Sequence, residues 1–174
     1  MITTTLCDTF DPRALRDAYG CFPSGVAAVC GLVEGEPVGL AVSSFTPVSL
    51  APALVAVCLQ NSSGSWAALR GLPRLGVSVL ADHQGCVGRQ LSRGTQAERF
   101  HGVSWEAGGA GAVFVHGCAG WFECSVATLV PGGDHTVALL RVHGLARPEG
   151  RAPLVFHGGR FHRLAPSRDH GETR

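Results

Sequence analysis

Two clusters of hydroxyl and amide side chains bracket one run of apolar residues. Ser43, Ser44, Thr46 and Ser49 precede Leu54–Leu59 (LVAVCL), and Asn61, Ser62, Ser63 and Ser65 follow it. The run holds no polar side chain, which predicts a strand shielded on both faces. A buried strand flanked by two such clusters can hold a flat ligand against its backbone. The second cluster suits an anion, because residues 66–70 (WAALR) read as a short helix. A helix start offers unpaired N–H groups and partial positive charge to a phosphate. The same residues also serve as turn serines and helix caps, and local pattern leaves both readings open. His135 is the other candidate. It follows Gly132-Gly133-Asp134 at a strand start, where a side chain can face a cleft, or cap the turn through Asp134.

Much chemistry is excluded by what is missing. All 14 basic residues are arginine, so neither a Schiff-base lysine nor a Walker phosphate loop is available. No GxGxxG follows a strand, so a dinucleotide is not held in the Rossmann manner. HExxH, CxxC and GxSxG are absent, and no metal site is expected. The remaining histidines show no ligand spacing. The net charge of +1 argues against a nucleic-acid or anionic-membrane surface. No apolar run reaches membrane-spanning length, and the N-terminus lacks signal-peptide character. The seven cysteines read as small buried hydrophobes of a reducing, cytoplasmic setting. Activity must therefore come from a bound organic cofactor or from scattered residues.

The elements that position these residues are mostly strands. The 174 residues suggest one domain, with an ordered core over about 10–164, a loose arm before it and a polar tail from 165. Asp11-Pro12 starts a helix with Leu15, Ala18, Tyr19 and Phe22 on one apolar face, ended near Gly20. Val26–Val33 and a strand from Val38 form a hairpin across Glu34–Pro37. Leu75–Leu80 is a further strand. Asp82 caps a helix through Gln84–Leu91, and Thr95–Glu98 has capping-box spacing. Residues 108–111 form a loop. Trp121–Val130 and His135–Val142 pair across Pro131–Asp134, and Leu154–Phe156 ends the series. Six or more antiparallel strands with short helices between them argue for a closed or partly closed barrel.

Residues 37–66 (PVGLAVSSFTPVSLAPALVAVCLQNSSGSW) resemble the flavin-binding signature of the short-chain flavin reductase family. Further matches follow in order: Glu98–Trp105 (ERFHGVSW), Cys124, Gly132–His135 (GGDH) and Pro153–Phe161 (PLVFHGGRF). The resemblance implies the FMN-binding split barrel: mainly β, antiparallel, of Greek-key type. It further implies a homodimer that uses NADH or NADPH to reduce FMN or FAD for a separate oxygenase. It places the flavin ring on the strand edge Pro37, Val38, Gly39, Leu40 and Ala41, on Ser43 and Ser44, and on Cys58, Leu59 and Gln60. Phosphate contacts map to Gly64 and Ser65. An Arg-Phe pair usual on the next helix is Gln90-Leu91 here, with Arg89 one position earlier. His135 maps beside the nicotinamide, with a role in orienting it and stabilising charge on the reduced flavin. His157, Arg160 and Phe161 map near the nicotinamide nucleotide, with His157 and Phe161 standing where tyrosines are frequent. Two alternatives follow from the same fold: an oxidase or tailoring enzyme acting on an organic substrate, and a non-enzymatic flavin or haem binder.

Overall fold

The computed structural model describes residues 11–165, so the predicted arm over 1–10 and the tail from 166 lie outside the described residues. Helix α1 (Pro12–Tyr19) begins as its sequence predicts: the Asp11 carboxylate accepts from Ala14 N–H at 3.2 Å. Its apolar face departs from expectation. No residue of α1 is buried, and Tyr19 and the following Phe22 are 70% and 78% exposed.

A short β1 (Ser24–Gly25) leads to the hairpin of β2 (Ala27–Val33) and β3 (Glu36–Val42). Its turn residues Glu34 and Gly35 both have positive φ, 54° and 85°, the backbone whose twist matches that of the flanking strands. Then come β4 (Thr46–Leu50), β5 (Ala53–Gln60), α2 (Gly64–Leu69), β6 (Leu75–Val79), α3 (Gly85–Leu91) and α4 (Gln96–Arg99). The predicted capping box of α4 is present, with the Glu98 carboxylate accepting from Thr95 N–H at 2.7 Å. Asp82 does not cap α3. Gln84 occupies that position without a side-chain cap, and its amide bonds Ala81 N–H and His116 O instead. The small β7 (Trp105–Ala107) and β8 (Val113–Val115) pair around a single 3-10 turn. The long β9 (Gly120–Gly132) and β10 (His135–Ala146) form a hairpin tighter than predicted, with only Gly133 and Asp134 between them. The last segment is also a hairpin, β11 (Val155–His157) with β12 (Arg160–His162), not one strand.

Seven strands form one antiparallel sheet in the order β3-β2-β6-β9-β10-β5-β4. Its two edge strands are consecutive in sequence: only Ser43, Ser44 and Phe45 separate β3 from β4. Four Cα steps span at most ~15 Å, so the sheet must curl until its edges nearly meet. That corner is where the flavin-like signature places its ring. A three-stranded sheet, β1-β11-β12, flanks the main one.

The doubly buried strand is β2, not β5. Ala27, Ala28, Val29 and Cys30 are all at most 1% exposed, with Ala27 and Val29 in one core cluster and Ala28 and Cys30 in the other. Small residues let neighbours close in: a Cβ on Gly31 would stand 2.5 Å from Leu72 Cδ1. Strand β5 alternates. Val55, Val57 and Leu59 enter the core with Ala138 and Leu140 of β10, at about 1.5–3 kcal/mol for each large side chain buried. Leu54 and Ala56 are half-buried and Cys58 is exposed on the other face. Continuous apolar composition therefore marked two different coverings. Among the described residues, no helix is long and apolar enough to cross a membrane.

Candidate functional site

The corner between the sheet edges opens into a 340 Å³ cleft lined by Leu40, Ala41, Val42, Ser43 and Ser44 from β3 and its exit. Cys58, Leu59 and Gln60 from the end of β5, together with Arg99 and His135, line it as well. Beside it lies a second space of 520 Å³ bounded by Val38, residues 62–65, Ala68 and Gln96. Gln60, Ser63 and Arg99 border both. One trough thus has a ring-sized end at His135 and a polar end at α2.

Ser44 builds the ring end. The β4–β5 ladder stops at Thr46 and Ala56. Beyond it, Ser44 Oγ accepts from Cys58 N–H at 2.8 Å and donates to Cys58 O at 3.1 Å. One hydroxyl thus replaces a strand residue, satisfies both backbone groups and frees the corner for a ligand. Gly39 is a packing glycine, since a Cβ there would meet Cys30 Sγ at 2.6 Å and the Phe100 ring at 3.0 Å.

The polar end is organised by Arg99, which residue pattern alone did not mark as a ligand. Its Nη1 donates to Ser65 Oγ at 2.7 Å and to Gly39 O at 3.1 Å. Ser65 Oγ in turn donates to Gln96 Oε1 at 2.7 Å. Arg99 has no carboxylate within ion-pair distance among the described residues. Its Nε and the Gln96 Nε2 are buried donors without a partner. Buried donors left unmade cost about 1–3 kcal/mol each. Helix α2 has six residues and little macrodipole of its own. Its N-cap is Ser63, whose Oγ accepts from Trp66 N–H at 3.2 Å. The positive charge of this end is the guanidinium. Ser65, 7% exposed, also holds that guanidinium in place while lining the polar end.

His135 pairs with Gln60 at the mouth of the ring end. Its Nδ1 donates to Asp134 Oδ1 at 2.7 Å, leaving Nε2 for the cleft. That hydrogen bond, and then the imidazole charge, hold the Asp134 carboxyl below the usual aspartate range. Asn61 anchors the turn that carries both: its N–H donates to Asp134 O at 3.0 Å, and its Nδ2 to Gly133 O at 3.2 Å. Thr136 Oγ1 donates to Asn61 Oδ1 at 2.7 Å. Both readings of the sequence thus coexist here, a turn-bound histidine that also faces the cleft.

Of the predicted ligands, Val38, Leu40, Ala41, Ser43, Ser44, Cys58, Leu59, Gln60, Gly64, Ser65 and His135 line the trough, and Gly39 lies beneath it. Pro37 does not line it. Arg89 lies over the Phe161 ring at 5.5 Å and donates to Cys86 Sγ, away from the polar end. Gln90 Nε2 is shared among the carbonyls of Glu98, Arg99 and His101, at 2.9, 3.2 and 2.7 Å. It therefore positions Arg99 rather than touching the trough. Phe161 borders a 110 Å³ recess beside the ring end. His157 and Arg160 are exposed on the β11–β12 hairpin and reach neither space. The cysteines divide. Cys30, Cys118 and Cys124 are buried, and burial pushes the Cys118 and Cys124 thiols up to about 12. Cys21, Cys58 and Cys86 are exposed, contrary to the burial expected of the cysteines: Cys58 lies on the outer face of the alternating β5, and Cys21 and Cys86 lie outside any apolar run. Cys7 lies outside the described residues.

Comparison with known proteins gives the same assignment from independent data. A family model described as "Flavin reductase like domain" matches residues 19–165. A probable flavin reductase of Rhizobium meliloti is 39% identical over 136 residues, 78% of this chain, which spans only 43% of that longer protein. The reductase subunit HsaB of a flavin-dependent monooxygenase from Rhodococcus jostii is 34% identical over 92% of this chain and 82% of its own. The solved structure of the Streptomyces globisporus NADH:FAD oxidoreductase SgcE6, in complex with NAD and FAD fragments, superposes with a TM-score of 0.86 at 36% identity. That likeness covers 94% of this chain and all of that one. With the curled antiparallel sheet, the corner trough and the family match over most of its length, this chain belongs to the flavin reductase-like family.

Proposed function

We propose that this chain is an NADH-dependent flavin reductase whose trough takes FMN or FAD as a dissociable cosubstrate. The observation that carries the reading is that two adjacent spaces share Gln60, Ser63 and Arg99 as a common wall, with the Arg99 guanidinium at one end and His135 at the other. The residues present fit a flavin: the ring end matches a flat apolar plate, and Arg99 and Gln96 supply the donors that its phosphate lacks elsewhere. When bound, a flavin supplies a hydride acceptor for the reduced nicotinamide. The protein supplies position. Leu40, Ala41 and Leu59 wall the ring, the Ser44–Cys58 link fixes the corner, and Arg99 clamps the phosphate. His135, oriented by Asp134, presents Nε2 where negative charge develops on the ring.

The product flavin passes to a separate monooxygenase; the R. jostii relative is named as the reductase subunit of a flavin-dependent monooxygenase. Exposed Cys58, Gln60 and Ser92 at the trough suit exchange with solvent. The chain acts as a homodimer. Register places Leu54 and Ala56 on one sheet face with Leu139 and Arg141 of β10 and Thr128 of β9. These side chains are half-buried or exposed in the single chain, and a second copy covers them. Six free thiols among the described residues suit a reducing cytoplasm.

Anaerobic stopped-flow with FMN or FAD and NADH tests the proposal. Rapid bleaching of the flavin band is expected. Flavin that binds and stays oxidised would replace the reductase with an enzyme acting on an organic substrate.

A further inference from the structure

A 260 Å³ recess opens between the β7–β8 pair and the end of the β9–β10 hairpin that lies farthest from His135. At a strand's rise the two ends of β10 stand roughly 33 Å apart, so this recess is remote from the trough. Phe114 and Trp121 wall it, and Leu145 joins them, 71% exposed. Glu106 and Glu123 complete the lining with Gly144.

Both rings are fixed. Trp121 Nε1 donates to Val115 O at 2.7 Å, which ties the polar edge of the indole to β8. A Cβ on Gly108 would stand 2.6 Å from Phe114 Cε2, and one on Gly76 would stand 3.1 Å from Phe114 Cδ1. Two bare backbones therefore clamp that ring. The register of β10 on β9 shifts between Val142 and Gly144, which sets Gly144 opposite Glu123. A bulge re-aims its strand, and the glycine it delivers here leaves the Glu123 carboxylate uncovered: a Cβ on Gly144 would lie 4.0 Å from its Oε2.

The carboxylates lack a matching cation. Every basic residue of the chain is arginine, yet none lines the recess. Glu123 makes no ion pair among the described residues, and Glu106 meets only the His116 ring, at 3.5 Å. Acidic oxygens beside fixed aromatic faces are the complement of a cation with a flat, weakly hydrated head.

We propose that this recess binds an alkylguanidinium. The planar head offers five N–H donors, which Glu106 and Glu123 accept, and its face stacks on Trp121. The alkyl stem lies along Phe114 and Leu145. An alkylammonium lacks the stacking face, and a quaternary ammonium has no N–H for the carboxylates. Free arginine brings a carboxylate of its own toward two glutamates, a like-charge contact. The ligand is therefore a guanidine without a free carboxylate, either a small molecule or an arginine side chain within a peptide. A recess of 260 Å³ holds one such head and stem and little more. Its occupancy leaves the trough open.

The test titrates ethylguanidinium, ethylammonium, free arginine and N-acetylarginine amide into wild type and Glu123→Gln, following the Trp121 indole N–H resonance by NMR. Dissociation constants on the order of millimolar are expected for ethylguanidinium and the amide. Ethylammonium and free arginine should bind at least about fivefold more weakly, and Glu123→Gln should weaken both guanidinium probes about tenfold. Glu106→Gln, at an exposed position, gives the same comparison where Glu123→Gln disturbs β9. Tighter binding of ethylguanidinium would assign the site to a free guanidine, and tighter binding of the amide to a peptide-borne arginine. Ethylammonium that binds as tightly as ethylguanidinium, binding unchanged in both variants, or no saturable shift of the Trp121 resonance would overturn the site.

Discussion

The two ends of the trough are built on different principles. The ring end is mostly backbone: strand edges of β3 and β5, a hydroxyl that substitutes for a missing strand residue, and walls that continue the core. The anion end is a relay of side chains, from Gln96 to Ser65 to Arg99, held from behind by Gln90. A surface made of backbone tolerates side-chain change, because each hydrogen bond belongs to the sheet. A relay does not, since removing one member leaves its neighbours with unmade bonds in a poorly solvated place. On the proposed function, affinity is concentrated at one end and reactivity at the other.

The largest expected effect breaks the anion end outright. Arg99→Gln removes the charge-assisted contact, worth about 1.5–3 kcal/mol. The flavin dissociation constant should rise roughly 10- to 100-fold by fluorescence titration, with the reduction rate at saturating flavin nearly unchanged. An unaltered dissociation constant would remove Arg99 from the phosphate site. His135→Ala should do the reverse, slowing reduction of bound flavin about tenfold in stopped-flow while leaving affinity nearly intact. If affinity collapsed instead, the division between the two ends would not hold.

Smaller effects sharpen the contrast. Ser65→Ala should weaken flavin binding by about 1 kcal/mol, less than Arg99→Gln, because it loosens the guanidinium without removing it. Equal losses would make Ser65 a direct ligand. Gln90→Leu should lower the melting temperature, leaving three carbonyls without their donor, and weaken flavin binding only through Arg99.

The smallest effect concerns pH. Asp134 has a depressed pKa, so its pairing with His135 contributes stability that is fully present above the ordinary aspartate range. That contribution is lost only as pH falls through the lower folded value. The Asp134 side-chain carboxyl should therefore titrate below the ordinary aspartate range, checked by following its carboxyl carbon by NMR against pH. A midpoint at or above that range would mean the pairing does not hold the carboxylate ionised.

Leu139→Arg addresses the outer sheet face rather than the trough. It should convert a dimer into a monomer by light scattering. A wild-type monomer at micromolar concentration would refute the homodimer.

What could be read in the sequence was local. Asp11-Pro12, the Thr95–Glu98 box and the turn read over Pro131–Asp134, which the structure tightens to Gly133 and Asp134, specify their backbones through bonds a few residues apart. Ser43, Ser44, Ser62, Ser63 and Ser65 of the hydroxyl clusters around Leu54–Leu59 line the trough, while Thr46, Ser49 and Asn61 do not. Motif resemblance located most of the ring end, as its residues are contiguous. Composition could not tell which apolar strand was covered twice. Ala27–Cys30 looks weak beside LVAVCL, yet its small side chains let two core clusters meet on it. Tertiary structure alone decided that Arg99, 60 residues beyond Gly39, donates to its carbonyl, that Arg89 turns instead to Phe161, and that α1 keeps its aromatic rings in solvent. Those outcomes depend on how far the sheet curls and which helix ends reach the corner, quantities set by the packing of the whole chain and by no short stretch of it.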